Sequence, residues 1–299
     1  MWRHPLATLS LLAIVAMAMA SLLPKWFSED LSPVRGLEKG RLVSMTPSVT
    51  ETIIKLGAIE SLVARSDYCL DAALPADLTK VGTGLQPNYE ALVRVRPTHI
   101  LATAAQGLAQ EALSQIAPTT ALPWRTLAQM IESIGRLGVL VDKDAEAQAL
   151  VQELRNEVLV DAPKGAPRAL LLIGFGALNE GELWFIKPGS LHDEVLGAAG
   201  AANVIEGPVE GAPSMPFERL LTLDPDLIIV LSSKGGMSEA DKAALIEPLM
   251  RMTTLRAAQG GRVGVLARDN VLGEGPSLVE LVAPMRALIR DLMRLEGER

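Results

Sequence analysis

From Arg41 onward, short apolar runs alternate with stretches whose apolar residues recur at helical spacing. Arg41-Leu42-Val43-Ser44 reads as a strand. Ser48 to Leu56 reads as a helix, with Ser48 and Glu51 spaced as a capping box and Gly57 as its stop. Ser61 to Arg65 is a second strand. Tyr89 to Val95 is a short helix ended by Pro97. His99 to Thr103 and Thr119 to Leu122 are further strands. The second half has the same texture: a strand at Arg168 to Ile173, a helix from Leu191 to Ala199 capped by Ser190 and stopped by Gly200, strands at Leu227 to Leu231 and Arg262 to Leu266, and a closing amphipathic helix from Pro276 or Ser277 to Leu295. Strands alternating with helices predict parallel sheets built from βαβ units. Between the halves, Asp142 to Val160 contains neither Gly nor Pro. Leu150, Leu154 and Val158 recur at four-residue spacing, Val151 and Leu159 widen the stripe, and Asp142 is the expected N-cap. One helix over 142–160 would run about 28 Å and act as a stiff connector. The fold class expected is α/β: two lobes, each a mostly parallel sheet flanked by helices, joined by one long helix. The expected boundaries are 41–125, a connecting segment 126–166, and 167–299.

The halves also echo one another. Tyr89-Glu90-Ala91-Leu92-Val93-Arg94-Val95-Arg96-Pro97 matches Phe217-Glu218-Arg219-Leu220-Leu221-Thr222-Leu223-Asp224-Pro225. In each, an aromatic precedes a Glu, a Pro follows that Glu by seven residues, and a buried strand comes next. A carboxylate on a helix's first turn is favoured by the helix dipole. That alone could explain either Glu; the matched pair, one per half, asks for more.

Composition narrows the class. The chain has 299 residues, too many for one small core and ordinary for two. A formal net charge of -7 argues against nucleic-acid binding. Aromatics make up 3%, so any cleft has few ring platforms. Cys69 is the single cysteine, which excludes an intramolecular disulfide and reads as a small buried hydrophobe. Trp2-Arg3-His4 precede an apolar run from Leu6 to Leu23, and Ala18-Met19-Ala20 offers small residues for a cut after Ala20: a secretory signal. An uncleaved anchor is the competing reading of those eighteen residues. No Cys follows for a lipid anchor. Residues 24–40 mix charge, Pro and Gly as a tether.

Three signals for other chemistry fall short. Gly174-Phe175-Gly176 lacks the third Gly of a dinucleotide turn, and Gly235-Gly236 lacks the Lys-Ser/Thr of a phosphate loop. No His/Cys/carboxylate cluster has metal-ligand spacing. Asp67 and Tyr68 have no nucleophile–base arrangement around them. No cofactor and no catalytic residue are expected.

From about Arg41 to Leu295 the chain resembles the periplasmic binding proteins for vitamin B12, ferric siderophores and heme. The resemblance rests on the opening Arg41 to Glu51, on Ser66-Asp67-Tyr68-Cys69 (similar to the turn after the second strand in the cobalamin-binding branch), on Val81-Gly82 with Pro87-Asn88-Tyr89-Glu90, and on Gly189 to Asn203 and Phe217 to Leu231. It implies a non-enzymatic, exported, monomeric receptor that delivers a metal chelate to the membrane subunits of an ABC importer. It also implies that Glu90 and Glu218 dock into arginine pockets of those subunits, where a bidentate Arg–carboxylate pair would set register.

Ligands of open α/β sheets sit beyond the carboxyl ends of the strands. That rule makes Thr46, Pro47, Ser48, Tyr68, Gln86, Trp124, Trp184, Phe185 and Asn270 the ligand-binding candidates, with the loops Ala104-Ala105-Gln106, Phe175-Gly176 and Ser232-Ser233 beside them. Tyr68, Trp124, Trp184 and Phe185 are the rings that could hold a flat macrocycle, with core packing as the alternative for each. His99 is expected in the core. His192, at a helix start facing the cleft, is an exposed helix histidine or an axial ligand to cobalt or iron. Thr83 to Asn88 lacks the Tyr of the heme branch, which favours a corrinoid or siderophore over heme, and Ser66 to Cys69 favours the corrinoid. The rival classes are a metal-cluster oxidoreductase on a similar scaffold and a membrane-tethered sensor or accessory protein.

Overall fold

The computed structural model describes residues 40–69, 73–104, 107–174 and 181–294. The signal expected over 1–23 and, but for Gly40, the tether expected over 24–40 lie outside the described residues, as do the loop residues Ala105, Gln106, Phe175 and Gly176. Among the described residues no helix is long and apolar enough to cross a membrane.

The first lobe carries a five-stranded sheet. Its strands are β1 (Leu42–Ser44), β2 (Leu62–Arg65), β3 (Thr79–Lys80), β4 (His99–Thr103) and β5 (Thr119–Leu122), in the spatial order β3-β2-β1-β4-β5, with every pairing parallel. Helices α1 (Pro47–Lys55), α2 (Tyr89–Val95) and α3 (Gly107–Ser114) connect them. The second lobe carries β6 (Arg168–Ile173), β8 (Ala202–Asn203), β10 (Leu227–Ser232) and β11 (Val263–Ala267), all parallel, in the order β11-β10-β6-β8. A separate antiparallel pair, β7 (Glu182–Trp184) and β9 (Ser214–Pro216), lies beside it. Its helices are α6 (Leu191–Ala199), α7 (Glu218–Leu223), α8 (Glu239–Met250), α9 (Arg256–Gln259) and, after a 3-10 turn at Pro276–Leu281, α10 (Val282–Arg294). Read from the first strand of each lobe, β2-β1-β4-β5 matches β8-β6-β10-β11, so the first sheet has one additional edge strand, β3.

The connector differs from the expected rod. It is a hairpin of two helices, α4 (Leu127–Leu140) and α5 (Asp144–Glu157). The helix expected over 142–160 starts late because Asp142 is left-handed, at φ 55, and serves the turn instead of capping. Lys143 takes the N-cap position without a side-chain cap bond. The hairpin packs tightly at Gly138, where a Cβ would meet the Ala147 Cβ at 2.4 Å. The stripe Leu150, Leu154 and Val158 is buried, while Leu159 lies past the helix end and is exposed.

Alternation along the strands gives each sheet two apolar faces. Leu42 and Leu101 face one way, Val43, Ile100 and Ala102 the other. In the second lobe Leu171, Ile229 and Leu231 oppose Leu170, Leu172, Ile228 and Val230. The first-named face of each sheet, Leu42 and Leu101 with Leu171, Ile229 and Leu231, belongs to one continuous core that also takes in Leu137, Leu150 and Leu154 of the connector. The lobes are therefore fused through side chains packed against the connector, and burial at roughly 25 cal/mol per Å² of apolar surface opposes their separation.

The capping box expected at Ser48 and Glu51 does not form. Pro47 lacks an N–H and fits the first helical position, so α1 begins one residue earlier with Thr46 as N-cap. Ser48 lies inside the first turn, and Glu51 reaches across to the other lobe.

Candidate functional site

The carboxyl ends of both sheets face one another across a cleft with two adjoining cavities, of about 820 and 720 Å³. Loops following β1, β2, β4 and β5 line it from the first lobe, and the segment 187–190 after β7 with loops following β10 and β11 from the second. Ser48 and Glu274 line both cavities and form the ridge between them.

The larger cavity contains five of the sequence-predicted positions or their neighbours: Pro47, Ser48, Tyr68, Asn270 and Ser233. Tyr68 is 69% exposed, a ring standing free in the cleft. The turn that carries it is fixed from below: the Ser66 N–H donates to Ser44 O at 2.8 Å, and the buried Arg65 donates Nη1 to Cys69 O at 2.6 Å. Cys69 is buried, 3.0 Å from Thr50 Oγ1. The Thr50 hydroxyl donates to Ser44 Oγ at 2.8 Å, which leaves the thiol as the donor to Thr50. Burial raises the thiol's pKa, in keeping with that protonated role. Asn270 takes φ 61, a left-handed conformation Asn tolerates, and the Gly273 N–H closes the turn onto Asn270 O at 2.8 Å. A side chain at Gly273 would collide with Asn270 at 2.3 Å.

Trp124 lines the smaller cavity but is only 5% exposed. Its Nε1–H donates to Glu274 O at 2.7 Å, so the indole joins the lobes as well as walling the site. A second bridge runs from Glu51, whose carboxylate accepts the Ser277 N–H and lies against Gly275, where any Cβ would meet it at 2.0 Å. Lys55 and Glu280 pair at 3.3 Å nearby. The segment 274–280 is thus a clasp held by the first lobe. The Glu51 signal was legible only as a helix-capping residue. Its long-range partner lies 226 positions away, and no local pattern announces it.

Other predicted positions lie elsewhere. Thr46 is buried as the N-cap of α1, its Oγ1 without a hydrogen-bond partner. Gln86 is exposed, bound through its backbone to Thr83, and lines neither cavity, because β3 is the sheet's outer edge. Trp184, 38% exposed, sits on β7 and lines neither cavity. Phe185 is corrected from a ligand ring to a core residue: it bridges to Leu172 and is 5% exposed inside the second lobe's outer core. His192 is likewise not an exposed helix histidine. It is 4% exposed, and its Nε2 lies 2.9 Å from Val271 O, an acceptor only, so Nε2 carries the proton and cannot ligate a metal. Burial lowers its pKa. His99 is half-buried, with Nε2 2.7 Å from Thr120 Oγ1.

Glu90 and Glu218 are both exposed. Each lies in the first turn of a helix running back toward the amino end of its sheet. The start of α2 is tied to the carboxyl-end side by Asn88 N–H donating to Val81 O, and its end to β1 by Arg41. In the second lobe Arg168 holds the end of α7 at the start of β6. Each Glu therefore stands on the cleft side of its lobe. Glu90 is ion-paired with Arg94 one turn on, whereas Glu218 has no ion pair among the described residues. Burial within the cleft raises the pKa of Glu274, and burial raises that of Glu194, whose Oε1 accepts the Leu127 N–H at 3.3 Å.

Among the described residues no group of three or more His, Cys, Asp or Glu could hold a metal ion. Twin α/β lobes sharing a cleft at their strands' carboxyl ends define the class: a two-lobed solute-binding protein. Residues 42–269 match the periplasmic binding protein family model, and the chain belongs to that family, the solute-binding components of ABC importers. It is 23% identical over 261 residues to a cobalamin-binding protein of Halobacterium salinarum, covering 83% of this chain and 69% of that relative. It is 24% identical over 264 residues to the iron(3+)-hydroxamate-binding protein FhuD of Escherichia coli, covering 84% and 87%. An ABC transporter substrate-binding protein from Listeria monocytogenes has the same fold, with a TM-score of 0.67 at 22% identity, covering 84% of this chain and 99% of that one.

Proposed function

We propose that the protein is an exported, non-enzymatic receptor that binds a corrinoid in the cleft and delivers it to an ABC importer through Glu90 and Glu218. The observation that carries this is the pair of adjoining cavities at the carboxyl ends of both sheets, on the scale of a large chelate rather than an amino acid or sugar. The corrinoid is favoured over heme because, among the described residues, no histidine lines either cavity, and the tyrosine that lines the larger one, Tyr68, lies in the turn similar to the cobalamin-binding branch. The relative from Halobacterium salinarum, described as cobalamin-binding, supports the same choice. Ligand capture makes and breaks no bond. Two exposed carboxylates, one per lobe and both on the cleft side, suit bidentate pairing with arginines of a membrane partner.

The test is titration of the purified mature protein with cyanocobalamin, heme and ferric hydroxamate, followed by quenching of its tryptophan fluorescence. Saturable binding of cobalamin in preference to the other two is expected. Preference for heme or hydroxamate would reassign the ligand, and failure with all three would end the chelate reading. N-terminal sequencing of the secreted chain is expected to begin after Ala20.

A further inference from the structure

The two cavities differ in charge. Among the described residues, the charged ones lining the larger cavity are Glu51, Asp269 and Glu274, with no Lys, Arg or His. The smaller one is lined by Arg125 and Lys187, and by Glu274 only at the shared ridge. Arg125 is exposed and has no ion pair among the described residues; its backbone N–H is held by Gln129 Oε1 at 2.8 Å. Lys187 also has no carboxylate partner there, and its Nζ is fixed by donation to Gly211 O at 2.7 Å. Nearby Glu194 does not line the cavity. It occupies the first N–H of α4, so the anion-attracting element is the pair of cations and not that helix end.

Resting on the corrinoid reading, we infer that this polarity fixes which way round the ligand lies. Arg125 and Lys187 take the phosphodiester of the nucleotide loop, and the amide-fringed ring faces the carboxylates of the larger cavity. A guanidinium fork matches phosphate oxygens, and a nearby ammonium adds a second positive charge. Primary amides supply N–H donors, which carboxylates accept. Glu274 on the shared ridge meets the ligand in either pose, but the reversed pose would press the phosphodiester against Glu51 and Asp269 and take it away from both cations, so the arrangement specifies orientation as well as affinity.

Dicyanocobinamide has the corrin ring and amides but lacks the nucleotide-loop phosphodiester, so it separates the two halves of the inference. Its affinity and that of cyanocobalamin should be measured for the wild-type protein, Arg125→Met, Lys187→Met and the double variant. The double variant should lose about tenfold or more for cobalamin and less than about twofold for cobinamide. Cobalamin binding by the wild type should weaken with added salt more than that of the double variant. Arg125→Met makes no demand on folding, since its side chain is exposed, and it should show part of the same selective loss. Equal losses for both ligands, or no loss for either, would overturn the orientation. A wild-type protein that binds neither corrinoid would instead remove the reading beneath it.

Discussion

The two lobes solve the same local problem with matched hydrogen bonds, and they differ at the carboxylate that each short helix presents. Arg41 enters β1 and donates Nη2 to Val95 O at 2.6 Å; Arg168 enters β6 and donates Nη2 to Leu223 O at 3.2 Å. Thr98 and Asp226 then bind those arginines reciprocally: each accepts the Arg backbone N–H through its side chain and returns its own N–H to the Arg carbonyl. Both short helices end in a left-handed non-glycine residue before proline, Arg96 at φ 47 and Asp224 at φ 38. What differs is the carboxylate each helix presents. Glu90 is closed on Arg94, while Glu218 has no such partner among the described residues. Shared scaffold and unequal tips imply that the repeat preserves position and leaves the tips free to adapt.

Reversing both tips should have the largest effect. Glu90→Arg with Glu218→Arg is expected to abolish ligand-stimulated ATP hydrolysis by the reconstituted importer while ligand affinity stays unchanged. Coupling that survives the double reversal would refute docking through these residues. Of the single reversals, Glu218→Arg should cost more, because Glu90 already spends part of its time on Arg94 in a surface pair worth about 0–1 kcal/mol.

The next effect in size concerns the matched anchors. Leu92 and Leu220 are each fully buried and are the only buried residues of α2 and α7. They insert into different cores, so each change to Ala should cost about 2–5 kcal/mol in denaturant unfolding, and the two losses should add. A marked departure from additivity would show that the outer cores of the two lobes are not independent.

This pair also shows what the sequence could reveal. The aromatic–Glu–Leu–Pro echo, the strands at 99–103, 119–122 and 168–173, and the helix 191–199 were legible because short-range pattern and burial agree there. The connector was legible in part: the Gly- and Pro-free run announces the helix Asp144–Glu157, but the helix Leu127–Leu140 before it, the left-handed turn at Asp142 and the contact of Gly138 with Ala147 are set by packing between two helices. In the site, loops after the strands were legible from the fold rule, whereas Phe185 and Trp124 were ambiguous because a ring next to a strand end suits a core as well as a cleft. Glu51, Glu274 and His192 owe their roles to partners far along the chain, where periodicity carries no information.

A smaller effect is expected at the strand entries. Arg41→Met removes two capping hydrogen bonds to a helix end and Arg168→Met removes one, at about 0.5–1.5 kcal/mol per net bond. Arg41 donates twice, at 2.6 and 3.1 Å, so its loss should lower Tm the more, by a few degrees. Equal Tm values for wild type and both variants would make these arginines passengers of the repeat.

The smallest effect is a pH dependence in which groups oppose one another. Burial lowers the pKa of His99 in the first lobe and of His192 in the second. Their contribution to stability is complete above the ordinary value of 6.5 and is lost as pH falls below it through the folded-state values, because the unfolded chain binds the proton first. Burial raises Glu194 and Glu274, so their contribution is complete below 4.5 and is lost as pH rises through their folded-state values. Between those limits the two pairs pull in opposite directions, and the wild-type protein should show a shallow slope. His192→Gln keeps a side-chain donor for Val271 but removes the titration, so its stability should rise relative to wild type between pH 7.5 and 5.5. Glu194→Gln should do the reverse, steepening the loss in acid. His99→Gln should shift the slope less than His192→Gln, since His99 is only half-buried and bonded to a hydroxyl. Unfolding curves at the two pH values decide it: a slope unchanged in His192→Gln would mean that the buried imidazole does not govern the acid limb.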